Sequence, residues 1–249
     1  MRLNGIEFFC PLCYYSNVNK SSLYSIMTIQ WYGHSCFKIS TKPDGRGSGE
    51  DIVIFTDPFD KEVGLRPPQG RADIVTVSHD HYDHNNSGAL KGEPAVLDLP
   101  GEYSIKGVSI TGINSFHDKV QGAERGVNTI FAIESEGIRF CHLGDLATSL
   151  DKKQLEEVNG VDILAIPVGG PHSLNAKEAK AVIDQIEPKI VLPMHYKIPG
   201  MKIKDIADEK GFCKEIGLCP KDKMTKIVLK KKDLEEGDMK VVMMEALSA

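Results

Sequence analysis

The run Ser78-His79-Asp80-His81-Tyr82-Asp83-His84 narrows what this chain can become more than any other feature. With 8 His and 18 Asp among 249 residues, random placement would give His79, His81, Asp83 and His84 this spacing in about 1 chain in 2,000 of the same make-up. The preceding residues, Ala72 to Val77, read as a strand leaving the core. His79 and His81, two apart, project the same way while the chain stays extended. Asp83 and His84 follow where the chain must turn, so they reach a second point nearby. Imidazole nitrogens together with a carboxylate form the donor set that a pair of metal ions requires.

Such a site needs more ligands, supplied by other strand ends. All eight His lie between residues 34 and 195, and the last 54 residues have none. His117 ends the β-type run Ser109 to Phe116, and His195 ends the strand Ile190 to Met194. Asp145 follows Leu143-Gly144, where glycine lets the backbone turn sharply. Each is a polar group just after a β run, the position at which α/β sheets present their sites.

From Met27 onward, short runs rich in Val, Ile and Tyr alternate with turns. The expected strands are Met27 to Tyr32, Cys36 to Ser40, Asp51 to Thr56, Asp73 to Ser78, Ala95 to Leu97, a pair around Tyr103 to Ile113, Asn128 to Ser135 and Ile138 to Leu143. A helical stretch follows at Ser149 to Val158, with Ser149 as its N-cap. Strand Asp162 to Val168 precedes a stronger helix, Asn175 to Ile186, whose apolar Ala179, Val182, Ile183 and Ile186 share one face. Strand Lys189 to Pro193, a short helix near Ile203 to Lys210, and a final strand pair, Lys226 to Lys230 and Lys240 to Met244, complete the pattern. The Lys230 to Lys232 run between that pair reads as a solvated hairpin, because acidic residues follow it at once. Lys42 to Glu50 and Gly122 to Gly126 are loops by composition. Hairpins first and alternating β/α later indicate an α/β class, with sheets packed together and helices outside.

Composition excludes several alternatives. Apolar residues at 41% and mixed charges at 26% rule out a globally disordered chain. The net charge of −5 is the wrong sign for a general nucleic-acid binder, and no apolar run approaches a membrane span. The expected partner is therefore a small-molecule substrate, with no stable nucleic acid and no membrane; a homo-oligomer is left open. Six Cys are scattered at 10, 13, 36, 141, 213 and 219, without the pattern of a disulfide framework. Glu7 and Pro11 interrupt the apolar stretch Gly5 to Tyr15, and no signal peptide is expected. The default is a cytoplasmic protein with reduced thiols. Residues 1–26, including the lone Cys10-Pro-Leu-Cys13, read as an extension or a misassigned start, and 27–249 as the functional domain.

In order and approximate spacing, His79-x-His81-x-Asp83-His84, His117, Gly144-Asp145 and His195 resemble the metallo-β-lactamase superfamily. Trp31-Tyr-Gly-His-Ser-Cys-Phe37 and Thr56-Asp57-Pro58 look like the opening motifs of one branch. That branch holds ascorbate-6-phosphate lactonase-like proteins and many uncharacterised metal-dependent hydrolases. The resemblance covers roughly residues 27–245 and implies a four-layer αββα sandwich with metals at one edge of the two sheets. It implies a first metal on His79, His81 and His117, a second on Asp83, His84 and His195, and Asp145 bridging both. No Cys stands at a ligand position, and such N and O donors admit Zn²⁺, Mn²⁺ or Fe. The expectation is two divalent metal ions per chain, zinc or manganese.

Two cations sharing a water lower its pKa from about 15.7 towards 7. The implied activity is a binuclear, metal-dependent hydrolase whose metal-bridging hydroxide cleaves a small ester, lactone or phosphate ester, with Asp83 and Asp145 fixing the hydroxide. The alternatives are a nucleic-acid phosphodiesterase or nuclease, and a non-catalytic, metal-stabilised binding domain. Asp57 is read as a carboxylate orienting a ligand His or the loop after Ser78 from behind, with a plain turn residue as the rival. His34 either faces the metal pocket or caps the Gly33 turn. His142 is a hydrogen-bonded structural His, and Cys36 and Cys141 are small packing residues. In the loop Gly169-Gly170-Pro171-His172-Ser173, the last three residues depart from the branch's pattern. His172 and Tyr196 are candidates for leaving-group contact or proton donation, with surface loop residues as the alternative. Arg125 and Asn128 could touch substrate, though a solvated loop is the safer reading.

Overall fold

The computed structural model describes residues 26–43, 50–235 and 237–247; residues 1–25 of the extension, with the Cys10/Cys13 pair, lie outside the described residues. The first strands are β1 (Met27–Gly33), β2 (Cys36–Thr41), β3 (Ile52–Thr56), β4 (Ile74–Thr76) and β5 (Ala95–Leu97). Next come β6 (Gly101–Ile105), β7 (Val108–Phe116), β8 (Val127–Ser135) and β9 (Ile138–His142). Helix α1 (Lys152–Glu157), β10 (Ile163–Pro167), α2 (Ala176–Ile186), β11 (Ile190–Met194), α3 (Lys210–Ile216), β12 (Ile227–Leu229) and β13 (Lys240–Val241) complete the order.

These strands form two mixed sheets, β12-β1-β2-β3-β4-β5 and β13-β11-β10-β9-β8-β7-β6, the layers of an αββα sandwich. Alternation sets the inner face of β1, where Met27, Ile29, Trp31 and Gly33 are buried and the residues between them half-buried. By contrast β10 and β11 are buried at every position, as parallel strands covered on both faces must be. Across the interface Phe37 meets Phe140 and His142 at ring-centroid distances of 5.9 and 6.1 Å. Thr41 Oγ1 lies 2.8 Å from Ser135 Oγ at the far end. Among the described residues the α-helices all come from the second half, and α2 begins on a reciprocal capping box between Asn175 and Glu178. Connections around β4 supply only two short 3₁₀ turns, Lys61–Val63 and Ser87–Ala89. Among the described residues no helix is long and apolar enough to cross a membrane.

Strand direction places the site. In the second sheet β9, β10 and β11 run parallel, and β7 shares their direction because two antiparallel steps separate it from β9. In the first sheet β3 and β4 run parallel, and β1 shares their direction for the same reason. Within each sheet, then, strands end together on one edge. Those ends deliver His34, Asp57, the 78–84 loop, His117, Asp145, the 169–173 loop and His195.

Four expectations are corrected. Helix α1 starts at Asp151, not Ser149, because Asp151 and Gln154 cap each other reciprocally. No helix forms over Ile203 to Lys210: Lys202 N–H donates to Val63 O, Lys197 N–H to Ala207 O and Ala207 N–H to Gly169 O, which hold 202–207 as a strap. The helix lies later, at Lys210–Ile216. The last strand pair is no hairpin, since β12 joins β1 in one sheet and β13 joins β11 in the other. Between them Lys231 reaches both carboxylate oxygens of Asp162 at 2.8 Å. Cys213 and Cys219 form a disulfide, against the expectation of reduced thiols, whereas Cys36 and Cys141 are free and buried.

Gly144 turns the chain out of β9 at φ +56°, and a Cβ there would sit 2.5 Å from Ser78 Cβ and closer still to Asn128 Oδ1. Gly144→Ala should therefore combine overpacking with backbone strain and destabilise the fold by about 2–4 kcal/mol. Urea unfolding checks this as a lower midpoint at unchanged slope.

Candidate metal centre

The 78–84 loop leaves β4 and curls back on itself, with His84 N–H and Asn85 N–H both donating to His81 O at 2.8 and 3.0 Å. This is the turn that carries Asp83 and His84 away from His79 and His81. Ring centroids of His79 lie 4.5 Å from His81, 4.6 Å from His117 and 4.2 Å from His84. Asp145 Oδ2 is 3.1 Å from His195 Nε2, 3.5 Å from His84 Nε2 and 3.6 Å from His117 Nε2. Donor atoms gather in overlapping groups: His79, His81 and His117; His79, His84 and Asp145; and His34, Asp83, His84 and His195.

Behind them sits a ring of hydrogen bonds that decides which nitrogen faces inward. Asp57 is fully buried, left-handed at φ +38°, and its own N–H is held by Thr76 O at 2.8 Å. Its Oδ1 accepts from Ser78 N–H at 2.8 Å, and its Oδ2 accepts from Ser78 Oγ at 2.6 Å and from His84 Nδ1 at 2.8 Å. With that hydroxyl proton committed to Asp57, Ser78 Oγ accepts from His79 Nδ1 at 2.9 Å. One carboxylate thus keeps the Nδ1 protons on both His84 and His79 and turns both Nε2 atoms into the cluster.

Asn128 neither touches substrate space nor lies in a solvated loop: it is fully buried in β8, inside the strand expected from Asn128 to Ser135. Its Oδ1 accepts from Asp145 N–H at 2.9 Å, and its amide donates to Ser115 Oγ and Leu143 O. It brackets the turn that presents Asp145, and nothing in its local sequence signals this. His142 is buried between the sheets with Nε2 2.8 Å from Ser35 O, a structural histidine.

Electrostatics show what the cluster lacks. Burial lowers His79 to about 2 and His117 to about 4, leaving both imidazoles neutral, the form that ligates metals. Burial likewise opposes ionisation of Asp145, yet His195 and His84 outweigh it and hold the carboxyl well below its usual range. His84 is raised well above the ordinary value, because Asp145 and Asp83 outweigh its own burial. The two carboxylates therefore favour positive charge in a buried space. The Nε2 of His79 and the Oδ1 of Asp145 have no hydrogen-bond partner among the described residues. Buried, unpartnered acceptors in residues that share one donor cluster fit divalent cations.

Other candidates divide. His34 is fully buried with its ring among the cluster's donor groups, so it faces the metal cluster. His172 is exposed on the 169–173 loop and lines a cavity of about 540 Å³ together with His81, His117, Asp145 and Arg125. Tyr196 is not brought to the site: it is fully buried 5.2 Å from the Trp31 ring, and burial pushes the pKa of its hydroxyl well above the ordinary value. The same cavity is lined by Lys202, Lys204 and Asp205 from the strap. Arg125 also lines a neighbouring cavity of about 590 Å³ with His79, His81, Val96, Leu99 and Val127.

The family model of the Beta-lactamase superfamily domain matches residues 28–195, which include the cluster. The chain belongs to the metallo-β-lactamase superfamily. It is 26% identical to a UPF0173 metal-dependent hydrolase of Thermococcus onnurineus over 85% of this chain and 100% of that one. A second relative of the same description, from Methanoculleus marisnigri, is 30% identical over 68% of this chain and 81% of its own length. A candidate Zn-dependent hydrolase of this superfamily from Thermotoga maritima, known from its crystal structure, superposes with a TM-score of 0.70 at 36% identity. The match covers 88% of this chain and 98% of that one.

The loop between His117 and Arg125 is organised by one side chain. Asp118 accepts from the N–H groups of Val120, Gly122, Glu124 and Arg125 at 2.7–2.9 Å. Against a smaller opposing effect of burial than the four bonds combined, its carboxyl is lowered to about 2. Because the folded value lies below the ordinary one of about 3.9, the stabilisation is complete above that pH and is lost as pH falls towards 2. The melting-temperature gap between wild type and Asp118→Asn should be constant from neutrality to about pH 4 and close below it. Thermal melts across that range are the check, and a gap unchanged at pH 2 would refute the assignment.

Proposed function

We propose that this chain is a binuclear metal-dependent hydrolase that binds two divalent cations, zinc or manganese, in the cluster and cleaves a small anionic ester. A phosphate ester suits it better than an uncharged ester or lactone. The observation that carries the reading is Asp145 Oδ2, within 3.1–3.6 Å of Nε2 of His195, His84 and His117, a position from which one carboxylate serves two ions. His79, His81 and His117 hold one cation, and Asp83, His84 and His195 the other. When bound, the pair acidifies a shared water and takes up negative charge developing at the attacked carbon or phosphorus.

This chain's own residues do the rest. Asp57 fixes the tautomers of His84 and, through Ser78, of His79, so both present lone pairs inward. Asp83 and Asp145 orient the attacking water by accepting its hydrogen bonds. Arg125, Lys202 and Lys204 face Asp205 alone among the acidic residues of the cavity that lie outside the cluster. That excess of positive charge, on a chain of net charge −5, favours an anionic ligand. Burial and the nearby Arg125 lower His172, so this rim imidazole contacts the leaving group as a neutral partner.

Elemental analysis should find two cations per chain in the wild type and one in His81→Ala. Asp145→Asn should weaken both together, and loss of one ion alone would show that Asp145 does not bridge. Asp57→Asn should lower affinity about 10–100-fold without removing a ligand. The metal-loaded protein should cleave aryl phosphate mono- or diesters in a panel that also holds aryl esters and lactones, and a chelator should abolish the activity. Failure on the whole panel would overturn the hydrolase reading.

A further inference from the structure

His34 stands outside the seven residues of the ligand pattern, yet the structure builds it into the cluster. It follows Gly33 at the end of β1 and adopts a left-handed backbone at φ +52°, which histidine tolerates better than most residues. Two hydrogen bonds hold its carbonyl there, from Trp31 Nε1 at 3.1 Å and from His195 N–H at 3.0 Å. The end of β1 is thereby tied to the end of β11. The ring packs 4.3 Å from His195 and 4.8 Å from His84, centroid to centroid.

Nε2 of this ring lies 3.2 Å from His84 Nε2 and 3.2 Å from Asp83 Oδ2. His84 already commits Nδ1 to Asp57, so the two facing nitrogens either share one hydrogen or both face a cation. Two imidazoles on one ion, at about 2.1 Å each, hold their nitrogens about 3.0 Å apart at a right angle and about 3.4 Å apart at the tetrahedral angle. The observed separation lies between. Moreover, His34, Asp83, His84 and His195 together offer four donor atoms within 4.8 Å of one another. On the other side of His34, Nδ1 is buried with no hydrogen-bond partner among the described residues, so no bond there draws the ring away.

We infer that His34 Nε2 is a ligand of the cation held by Asp83, His84 and His195. The inference rests on the two-cation reading above and makes the two positions unequal. The His34 position has four protein ligands besides the shared Asp145; His34 and His84 are fully buried and line neither cavity, while Asp83 and His195 line one. The other position has three imidazoles, and all three line a cavity, His81 both. The cation with more ligands and more of them enclosed is the tighter, structural one; the cation at His79, His81 and His117 keeps the exchangeable position that meets substrate.

A crystal structure of the full chain soaked in Mn²⁺ or Zn²⁺, with anomalous scattering, tests this without a variant. An ion about 2.1 Å from His34 Nε2 is expected. Two ions in the cluster with His34 Nε2 beyond about 3 Å, bonded to Asp83 instead, would overturn the inference and leave the two-cation reading standing. No ion at all in the cluster would overturn both. In solution, Co²⁺ titration of His34→Ala should show one site weakened by more than the roughly 100-fold that losing an outer hydrogen bond brings, with a changed visible absorption band. His34→Gln retains an N–H donor but no imidazole and should behave like the alanine variant. Wild-type affinity and spectrum in His34→Gln would show that the residue only donates a hydrogen bond to Asp83.

Discussion

A carboxylate buried among imidazoles governs this end of the molecule. Asp145 is 3% exposed, and a lone ion in such a place carries an effective penalty of several kcal/mol. Here His195, His84 and His117 surround its Oδ2. Against its own burial, the negative charge of Asp145 and Asp83 raises His84 well above its ordinary value, which favours a proton there. A proton satisfies the demand only in part, since Asp83 lies 3.8 Å from the same His84 Nε2 and Asp145 Oδ1 still has no partner among the described residues. The cluster is organised for more positive charge than the chain itself supplies.

Holding that arrangement requires the backbone to accept unfavourable conformations. Of the non-glycine residues with positive φ, three are His34, Asp57 and His195, one at the end of each of β1, β3 and β11. Such residues are kept only where the surroundings over-determine them. Each has a backbone bond doing so: Asp57 N–H to Thr76 O, His195 N–H to His34 O, and Trp31 Nε1 to the same His34 carbonyl. Sheet topology brings strand ends to one edge, and these ties then fix the backbone from which the side chains project. Asn128 completes the frame by gripping Asp145 N–H while Thr129 N–H, the next residue, holds Ser78 O at 2.8 Å.

What could be read in the sequence follows from this division. Ligands within one short loop advertise themselves through spacing, and those at strand ends through the break in β pattern, so His79 to His84, His117, Asp145 and His195 were identifiable as a set that the fold brings together. Residues whose role depends on a partner far along the chain were not. Asn128 reads as a polar residue at a strand start until Leu143 and Asp145 are placed beside it. Tyr196 follows His195 directly, but the left-handed turn at His195 directs it to Trp31 and the core. The misplaced helix near Ile203 has the same origin: bonds to Val63, Gly169 and Lys197 outweigh local helical preference. Ser149 lost the cap to Asp151 because only Asp151 has a glutamine three residues on.

The charge pattern of the rim follows from the two depths of the site. The floor, at His34 and His84, is sealed; the mouth, at His81 and His117, opens between the strap that carries Lys202 and Lys204 and the loop that carries Arg125. These elements come from opposite ends of the second sheet's order, one after β11 and one after β7, and neither packs its cations against the cluster's aspartates in an ion pair among the described residues. Asp118 ties the backbone of the Arg125 loop at four points, and Lys202 N–H is anchored on Val63, so both cation-bearing segments have fixed backbones. The positive side chains thus line the mouth of the cavity, and the floor is lined by imidazoles and carboxylates.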